Sequence, residues 1–192
     1  MSLLSNPLAF AEAYAKPSAC HHSLRLRFEP DASLAAGSGS ETRGGPSMTK
    51  STSGGGTGRC LCGAVQYRYE GEPTTVGICQ CERCQRQSGS AFLIGVIFPK
   101  EAVTIEGQLA TYEATVDGVH RLWRHFCPLC GSAVSITLER FPTIRSLMGG
   151  TLDDKSKLKP TFSVWCSAGQ PWLTLPEGIT CFADYPDGTF GG

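Results

Sequence analysis

Three cysteines fall within the six residues Cys79-Gln80-Cys81-Glu82-Arg83-Cys84, in the pattern Cys-x-Cys-x2-Cys. Thiolates this close can converge on one metal ion if the backbone curls around it. Their odd number and tight spacing work against bridges among themselves, since a disulfide needs a definite Cα separation. Two pairs bracket the cluster: Cys60-Leu61-Cys62 before it and Cys127-Pro128-Leu129-Cys130 after it. Together they make seven soft ligands. That is enough for one closed four-sulfur zinc site and one three-sulfur site with a coordination position to spare.

Cys60, Cys62, Cys127 and Cys130 form the natural closed set, because two pairs far apart in sequence would lock an early strand to a late hairpin. Zinc is the default ion for four thiolates. Its binding to such a set contributes folding free energy on the order of 10 kcal/mol. Cys79, Cys81 and Cys84 supply only three donors, and an open position is the mark of a catalytic zinc. The alternative is a fourth protein ligand drawn from His120, His125, Cys166 or Cys181. Cys166 and Cys181 are otherwise expected to pack as small apolar side chains. Cys20-His21-His22 is a further potential ligand group, although an incidental grouping in a tail is the plainer reading.

These residues sit in a chain of 192 residues, a length that predicts one domain with an appendage. Seventeen basic residues balance 17 acidic ones and no long basic run occurs, so the charge footprint of a nucleic-acid binder is missing. No apolar run approaches the roughly 18 residues that cross a bilayer. Ten cysteines in a secreted chain would read as a disulfide framework. That reading calls for a signal peptide, and Met1 to Glu12 shows neither a basic start nor a sustained apolar core. Metal in a reducing compartment, the cytoplasm, is therefore expected. Glu12, Glu29, Asp31 and Glu41 count against a mitochondrial transit peptide, which is usually poor in acids.

Residues 1–53 read as a disordered or flexible extension. Glycine, serine and threonine dominate Gly37–Gly58, a linker composition that buries too little surface to fold. Met48 lies within it and is a candidate alternative start. Residues 54–192 form the expected zinc domain, with its core at about 59–185. Alternation in Val65–Glu70 predicts a strand, and Thr74–Ile78 a second. Gln85–Gly89 predicts a short helical turn. The apolar run Ala91–Phe98 predicts a buried strand, and Val103–Glu106 with Leu109–Ala114 a hairpin. Val119–Phe126 and Val134–Leu138 predict two strands flanking Cys127–Cys130. Ile144–Leu152 and Thr161–Cys166 add two more. Helical periodicity is nearly absent, so the domain is expected to be mainly antiparallel β, of a size that benefits from a metal staple.

Arg59-Cys60-Leu61-Cys62-Gly63-Ala64-Val65, then Cys79 to Phe92, then Phe126-Cys127-Pro128-Leu129-Cys130-Gly131 follow one another in order. In this the chain resembles the glutathione-dependent formaldehyde-activating enzyme family, also called the centromere protein V-like family. Gly149 to Asp154 and Pro171-Trp172 resemble its C-terminal half. The resemblance covers about residues 59–185 and implies an Mss4-like antiparallel β fold. It also implies two zinc ions per chain: a structural one on Cys60, Cys62, Cys127 and Cys130, and a catalytic one on Cys79, Cys81 and Cys84. Many relatives carry His where this chain has Gln80.

The implied reaction is a carbon–sulfur lyase activity. Glutathione or a similar thiol adds to formaldehyde or a related small aldehyde, and the reverse step cleaves the carbon–sulfur bond. A zinc with a free position can keep the thiol as thiolate or polarise the aldehyde oxygen. Arg83, Arg86 and Lys100 are candidates to attract glutathione carboxylates, with solvated surface charge as the plainer reading. The rival is a non-enzymatic interaction module of the centromere protein V-like type, binding chromatin or microtubules. Residues 1–53 carry five basic and four acidic residues, which makes attachment to a polyanion weak.

Overall fold

Alternation in Gln66–Glu70 buries Tyr67 and Tyr69 and leaves Gln66, Arg68 and Glu70 in water. Among the described residues eleven strands, some alternating like this one and others buried in continuous runs, build two sheets. The computed structural model describes residues 54–116 and 120–185, all within a unit spanning Met48–Gly192. The expectations for residues 1–53, including Cys20-His21-His22 and a start at Met48, lie outside the described residues.

The first strands are β1 (Gly55–Arg59), β2 (Gln66–Glu70), β3 (Thr75–Cys79), β4 (Leu93–Pro99) and β5 (Val103–Glu106). There follow β6 (Ala110–Val116), β7 (His120–Phe126), β8 (Ala133–Leu138) and β9 (Phe141–Met148). The short β10 (Phe162–Val164) and β11 (Thr180–Cys181) come last, and one α-helix, α1 (Glu82–Ser88), is inserted after β3. A small antiparallel sheet has the order β1-β2-β5. An eight-stranded sheet has the order β11-β10-β3-β4-β9-β8-β7-β6.

The large sheet has an apolar cluster on each face. Val76, Val96, Phe98 and Leu147 pack with Tyr67 and Tyr69 of the small sheet and with Val65 just before it, and this core includes Cys60 and Cys127. The Tyr69 and Phe98 rings lie 4.6 Å apart, centroid to centroid. Leu93, Leu122, Ile136 and Met148 form a second cluster, with Cys84 buried among them and Cys79 and Cys81 at its border. Neighbouring residues therefore part company: Leu147 joins one core and Met148 the other. The two cysteine groups inherit the two cores.

The fold is mainly β, as expected, with four local differences. The linker expected over Gly37–Gly58 does not reach its predicted end, because Gly55–Gly58 forms most of β1 and pairs with β2. Glycine is what permits this. A Cβ on Gly58 would lie 2.2 Å from the Tyr67 ring, and one on Gly56 2.4 Å from the Tyr69 hydroxyl. Val103–Glu106 and the strand after it are not a hairpin: β5 pairs with β2, whereas β6 pairs with β7. Gly107, at φ 94° and with no room for a Cβ beside the Ala64 carbonyl, turns the chain from one sheet to the other. The helical turn expected at Gln85–Gly89 begins earlier, at Glu82, and ends at Gly89 in the left-handed region. Finally, β10 runs parallel to both β3 and β11, so the large sheet is not purely antiparallel.

Candidate metal centres

Each pair in the four-cysteine set sits on a tight turn closed by backbone bonds. Cys60 N–H donates to the Val65 carbonyl at 2.9 Å and Gly63 N–H to the Cys60 carbonyl at 3.1 Å. Cys127 N–H donates to Ser132 O at 3.0 Å, and Gly131 N–H to Cys127 O at 2.9 Å. Gly63 at φ 79° and Gly131 at φ 73° make the left-handed step each turn requires. The two turns are tied by Leu61 N–H donating to Ser132 Oγ at 3.1 Å.

This places all four Sγ atoms within 4.8 Å of one another. Cys60 and Cys62 sulfurs are 3.5 Å apart, and Cys62 and Cys127 sulfurs 3.8 Å. Four sulfurs held about 2.3 Å from a tetrahedral centre lie about 3.8 Å from each other. The donor set therefore fits a closed tetrahedral ion. Cys60 and Cys127 are buried, and Val65 N–H donates to Cys60 Sγ at 3.3 Å. Ser132 holds the Cys130 thiol down to about 5, through its side chain first and its backbone second. Such donors suit thiolate rather than thiol.

The second set is built where β3 hands over to α1. Cys79 ends the strand, Cys81 caps the helix, and Cys84 lies in its first turn. Cys84 N–H donates to Cys81 Sγ at 3.4 Å. The three Sγ atoms also lie within 4.8 Å of one another. Hydrogen bonds from Cys79 and Cys84 pull the Cys81 thiol down to about 2, and the same bonds push Cys79 up. Three sulfurs at this range cannot all ionise without a cation among them. Thiols gathered this closely exchange protons for a metal on binding one. Among the described residues no fourth His, Cys, Asp or Glu joins this group.

Side-chain amides brace the triplet from outside. Gln80, 4 % exposed, donates to Ser163 Oγ at 2.9 Å and to Cys166 Sγ at 3.5 Å. Gln85 Nε2 donates to the carbonyls of Gln80 at 2.6 Å and Ala168 at 2.9 Å. Gln170 Nε2 donates to Gln85 Oε1 at 2.6 Å. Gln80 therefore faces the 163–169 segment, and its role is to fix the loop that carries Cys79 and Cys81.

The alternative fourth ligands fall elsewhere. His125 sits between the hydroxyls of Thr111 at 3.0 Å and Thr137 at 2.9 Å, and burial holds its pKa below the usual value. His120 opens β7 and is absent from both sulfur groups. Cys166 and Cys181 neither ligate nor merely pack: they form a disulfide, with Cα atoms 6.2 Å apart. The reason is topological. β10 and β11 pair in parallel with Ser163 opposite Cys181, and the turn after Trp165 brings Cys166 back over that pair. The sequence carries no spacing signal for such a contact. Of the proposed cations, Arg83 donates to the Thr115 carbonyl at 2.7 Å and Arg86 pairs with Glu82 at 3.3 Å. Lys100 lies by His125 rather than by the triplet.

Two neighbours of the triplet carry no motif and escape a reading of spacing. The Cys84 thiol is lowered by its hydrogen bond with Cys79 but pushed up to about 11 on balance by the Cys81 contact and burial, and Arg124, on β7, opposes that rise only slightly by its charge. Tyr185, at the end of the described chain, has its phenol pushed up to about 12 by burial first and by Cys79 second.

Fold and centres define a class: a β protein of two sheets with one four-sulfur and one three-sulfur cluster, each able to hold a metal ion. The glutathione-dependent formaldehyde-activating enzyme family matches over residues 56–168. The chain belongs to that family. A protein of Halomonas elongata named as a candidate glutathione-dependent formaldehyde-activating enzyme is 28% identical over 138 residues, covering 68% of this chain and 88% of its own. A Rhodobacter sphaeroides protein of known crystal structure superposes with a TM-score of 0.40 at 20% identity, covering 50% of this chain and 87% of that one. No helix among the described residues is long and apolar enough to cross a membrane.

Proposed function

We propose that the protein is a zinc-dependent carbon–sulfur lyase that adds glutathione, or a thiol like it, to formaldehyde or a related small aldehyde, and catalyses the reverse. The observation that carries this reading is the unequal division of sulfur: four donors in a closed set and three in a set that no fourth joins among the described residues. Cys60, Cys62, Cys127 and Cys130 hold a structural zinc, and Cys79, Cys81 and Cys84 a catalytic one. Family membership supports the substrates. A zinc ion on three sulfurs supplies a site at which a thiol is kept as thiolate near neutral pH, or an aldehyde oxygen is polarised.

The reaction forms one carbon–sulfur bond. The thiol sulfur attacks the aldehyde carbon, the carbonyl π pair moves to oxygen, and the proton lost from sulfur ends on that oxygen. The chain's own residues prepare this step. Gln80, Gln85 and Gln170 fix the loop between β3 and α1, so the sulfurs keep their spacing while substrate exchanges. Arg124 lends positive charge beside three anionic sulfurs, which favours the approach of a further anion. Tyr185 stays a phenol at neutral pH and is placed near Cys79. A protonated phenol is suited to donate a hydrogen bond to the developing alkoxide.

The test is two-dimensional NMR exchange spectroscopy on formaldehyde, glutathione and S-hydroxymethylglutathione at equilibrium. Zinc-loaded protein is expected to raise the exchange rate in proportion to its concentration. Equal cross-peak build-up with and without protein rejects the activity for this pair.

A further inference from the structure

Among the described residues seven cysteines stand unbridged, all of them in the two metal groups, and one pair, Cys166 and Cys181, is joined. The bridge spans a separation of only 15 residues, and the segments it joins are also held without it. Thr180 N–H donates to the Thr161 carbonyl at 3.1 Å and Phe182 N–H to the Ser163 carbonyl at 2.8 Å. From the other side, Cys166 N–H donates to the Phe182 carbonyl at 2.9 Å and Ser167 N–H to the Ala183 carbonyl at 3.1 Å. A cross-link over so short a loop removes less entropy from the unfolded chain than one over a long loop. Stability alone is therefore a weak reason for its presence. Cys181 is exposed, so a small thiol can reach its sulfur, whereas Cys166 is half-buried.

Two features tie this bridge to the triplet. Trp165, one residue before Cys166, has φ 58° and ψ 41°, and among the described residues no other residue outside glycine has a positive φ. A bulky side chain in the left-handed region is strained and persists only where its surroundings hold it. The bridge is the covalent part of that hold. The turn that follows, Cys166–Ala168, then carries two acceptors for the amides that brace the triplet loop. Cys166 Sγ accepts from Gln80 Nε2 at 3.5 Å, and the Ala168 carbonyl accepts from Gln85 Nε2 at 2.9 Å. Gln80 stands between Cys79 and Cys81, and Gln85 follows Cys84.

We propose that the Cys166–Cys181 bridge is a thiol-exchange site, opened by a small thiol of the glutathione class through Cys181, and that its closure holds the loop of the three-cysteine group. The thiolate of the incoming molecule attacks Cys181 Sγ. The bond between Cys181 and Cys166 breaks, and its electron pair leaves on Cys166 Sγ, where the Gln80 N–H is placed to meet the charge. Cys181 now carries a mixed disulfide. A second thiolate attacks the small molecule's sulfur in that mixed disulfide and releases Cys181. Two thiols have become one disulfide, the bridge has taken up two electrons, and the two protons that the thiols gave up end on Cys166 and Cys181. As a thiol, Cys166 is a weak acceptor. No covalent bond then holds the turn in its left-handed start, the amides of Gln80 and Gln85 lose fixed partners, and the loop between β3 and α1 loosens. The small-molecule disulfide drives the reverse sequence. This chemistry proceeds whether or not the triplet turns over an aldehyde.

The test places the zinc-loaded full chain in glutathione buffers stepped from oxidised to reduced. Acid quenching, alkylation and peptide mass spectrometry read the bridge, and amide hydrogen exchange reads the loop. The bridge is expected to open and close reversibly, with glutathione found on Cys181 and not on Cys166. Exchange at residues 79–88 is expected to quicken by about fivefold as it opens, the scale of one lost hydrogen bond. Residues 60–63, in the other metal group, are expected not to change, which separates opening of the bridge from general loss of metal. Cys181→Ser, which cannot form the bridge, should show the quick exchange in every buffer. A bridge that stays closed at the most reducing ratio, or a mixed disulfide on Cys166, overturns the exchange site. Opening with no change at residues 79–88, an equal change at residues 60–63, or a response to the buffer that persists in Cys181→Ser overturns the hold on the triplet.

Discussion

At the scale of single residues, the two sulfur groups should fail differently when one member is lost. Cys127 is fully buried and its sulfur is one of four that tie the β1–β2 turn to the β7–β8 turn. Cys127→Ser removes a donor from a set whose loading contributes to folding. It is expected to leave little folded protein, seen as loss of near-UV circular dichroism and of cooperative urea unfolding. Cys81 is part-exposed and belongs to the group at the border of the other core. Cys81→Ser is expected to keep the fold, to lower zinc from two ions per chain toward one, and to abolish catalysed exchange. Metal content by mass spectrometry checks it. Two zinc ions retained in Cys81→Ser would mean that the triplet is not the second site. Gln80 belongs with the scaffold on this view. Gln80→Ala strands the buried Ser163 hydroxyl, a loss of about 1–3 kcal/mol by denaturant titration, without direct removal of a ligand.

At the scale of elements, β1 tests whether a glycine-rich stretch can be structural. The Cβ of Gly58→Ala would meet the Tyr67 ring at 2.2 Å and the Thr151 carbonyl at 2.5 Å. Overpacking of this kind costs about 1–3 kcal/mol. A lower urea midpoint is the expected result, and an unchanged midpoint would show that β1 is dispensable. The same stretch shows where sequence reading loses sight of the fold. Gly55–Gly58 has the composition of a linker, and only the tyrosines opposite it, ten or so residues on, make the missing side chains useful. Strands with their own alternation or apolar run, such as β2, β4 and β8, were legible because the signal is local. So were the sulfur groups, whose spacing is itself the chemistry. The pairing of β5 with β2 depends on one left-handed glycine, and the Cys166–Cys181 bridge on a parallel strand pair closed across a 15-residue separation. Neither is written in a window of neighbours.

At the scale of the whole molecule, the small sheet and the large one must stay in register for the four-cysteine set to close, and one buried hydroxyl spans that contact. Tyr67, from β2, shares a 2.8 Å hydrogen bond with Thr151, in the turn after β9. Burial raises its pKa above the ordinary phenol value, and the Thr151 contact only partly opposes the shift. The sign of the linkage follows. The neutral phenol is favoured in the folded state, so its contribution is fully present below the unfolded value near pH 10 and is lost as pH rises above it toward the folded value. One such proton weakens folding by about 1.4 kcal/mol per pH unit across that window. Urea unfolding at pH 8 and again near pH 10.8 should therefore show a larger alkaline loss in the wild type than in Tyr67→Phe. At pH 8 the variant is expected to be weaker by about 1 kcal/mol, the worth of one hydrogen bond. The two stability curves should thus converge as the solution becomes more alkaline. Parallel curves would mean that the phenol ionises freely in the native protein, and that the contact between the sheets is not sealed from water at Tyr67.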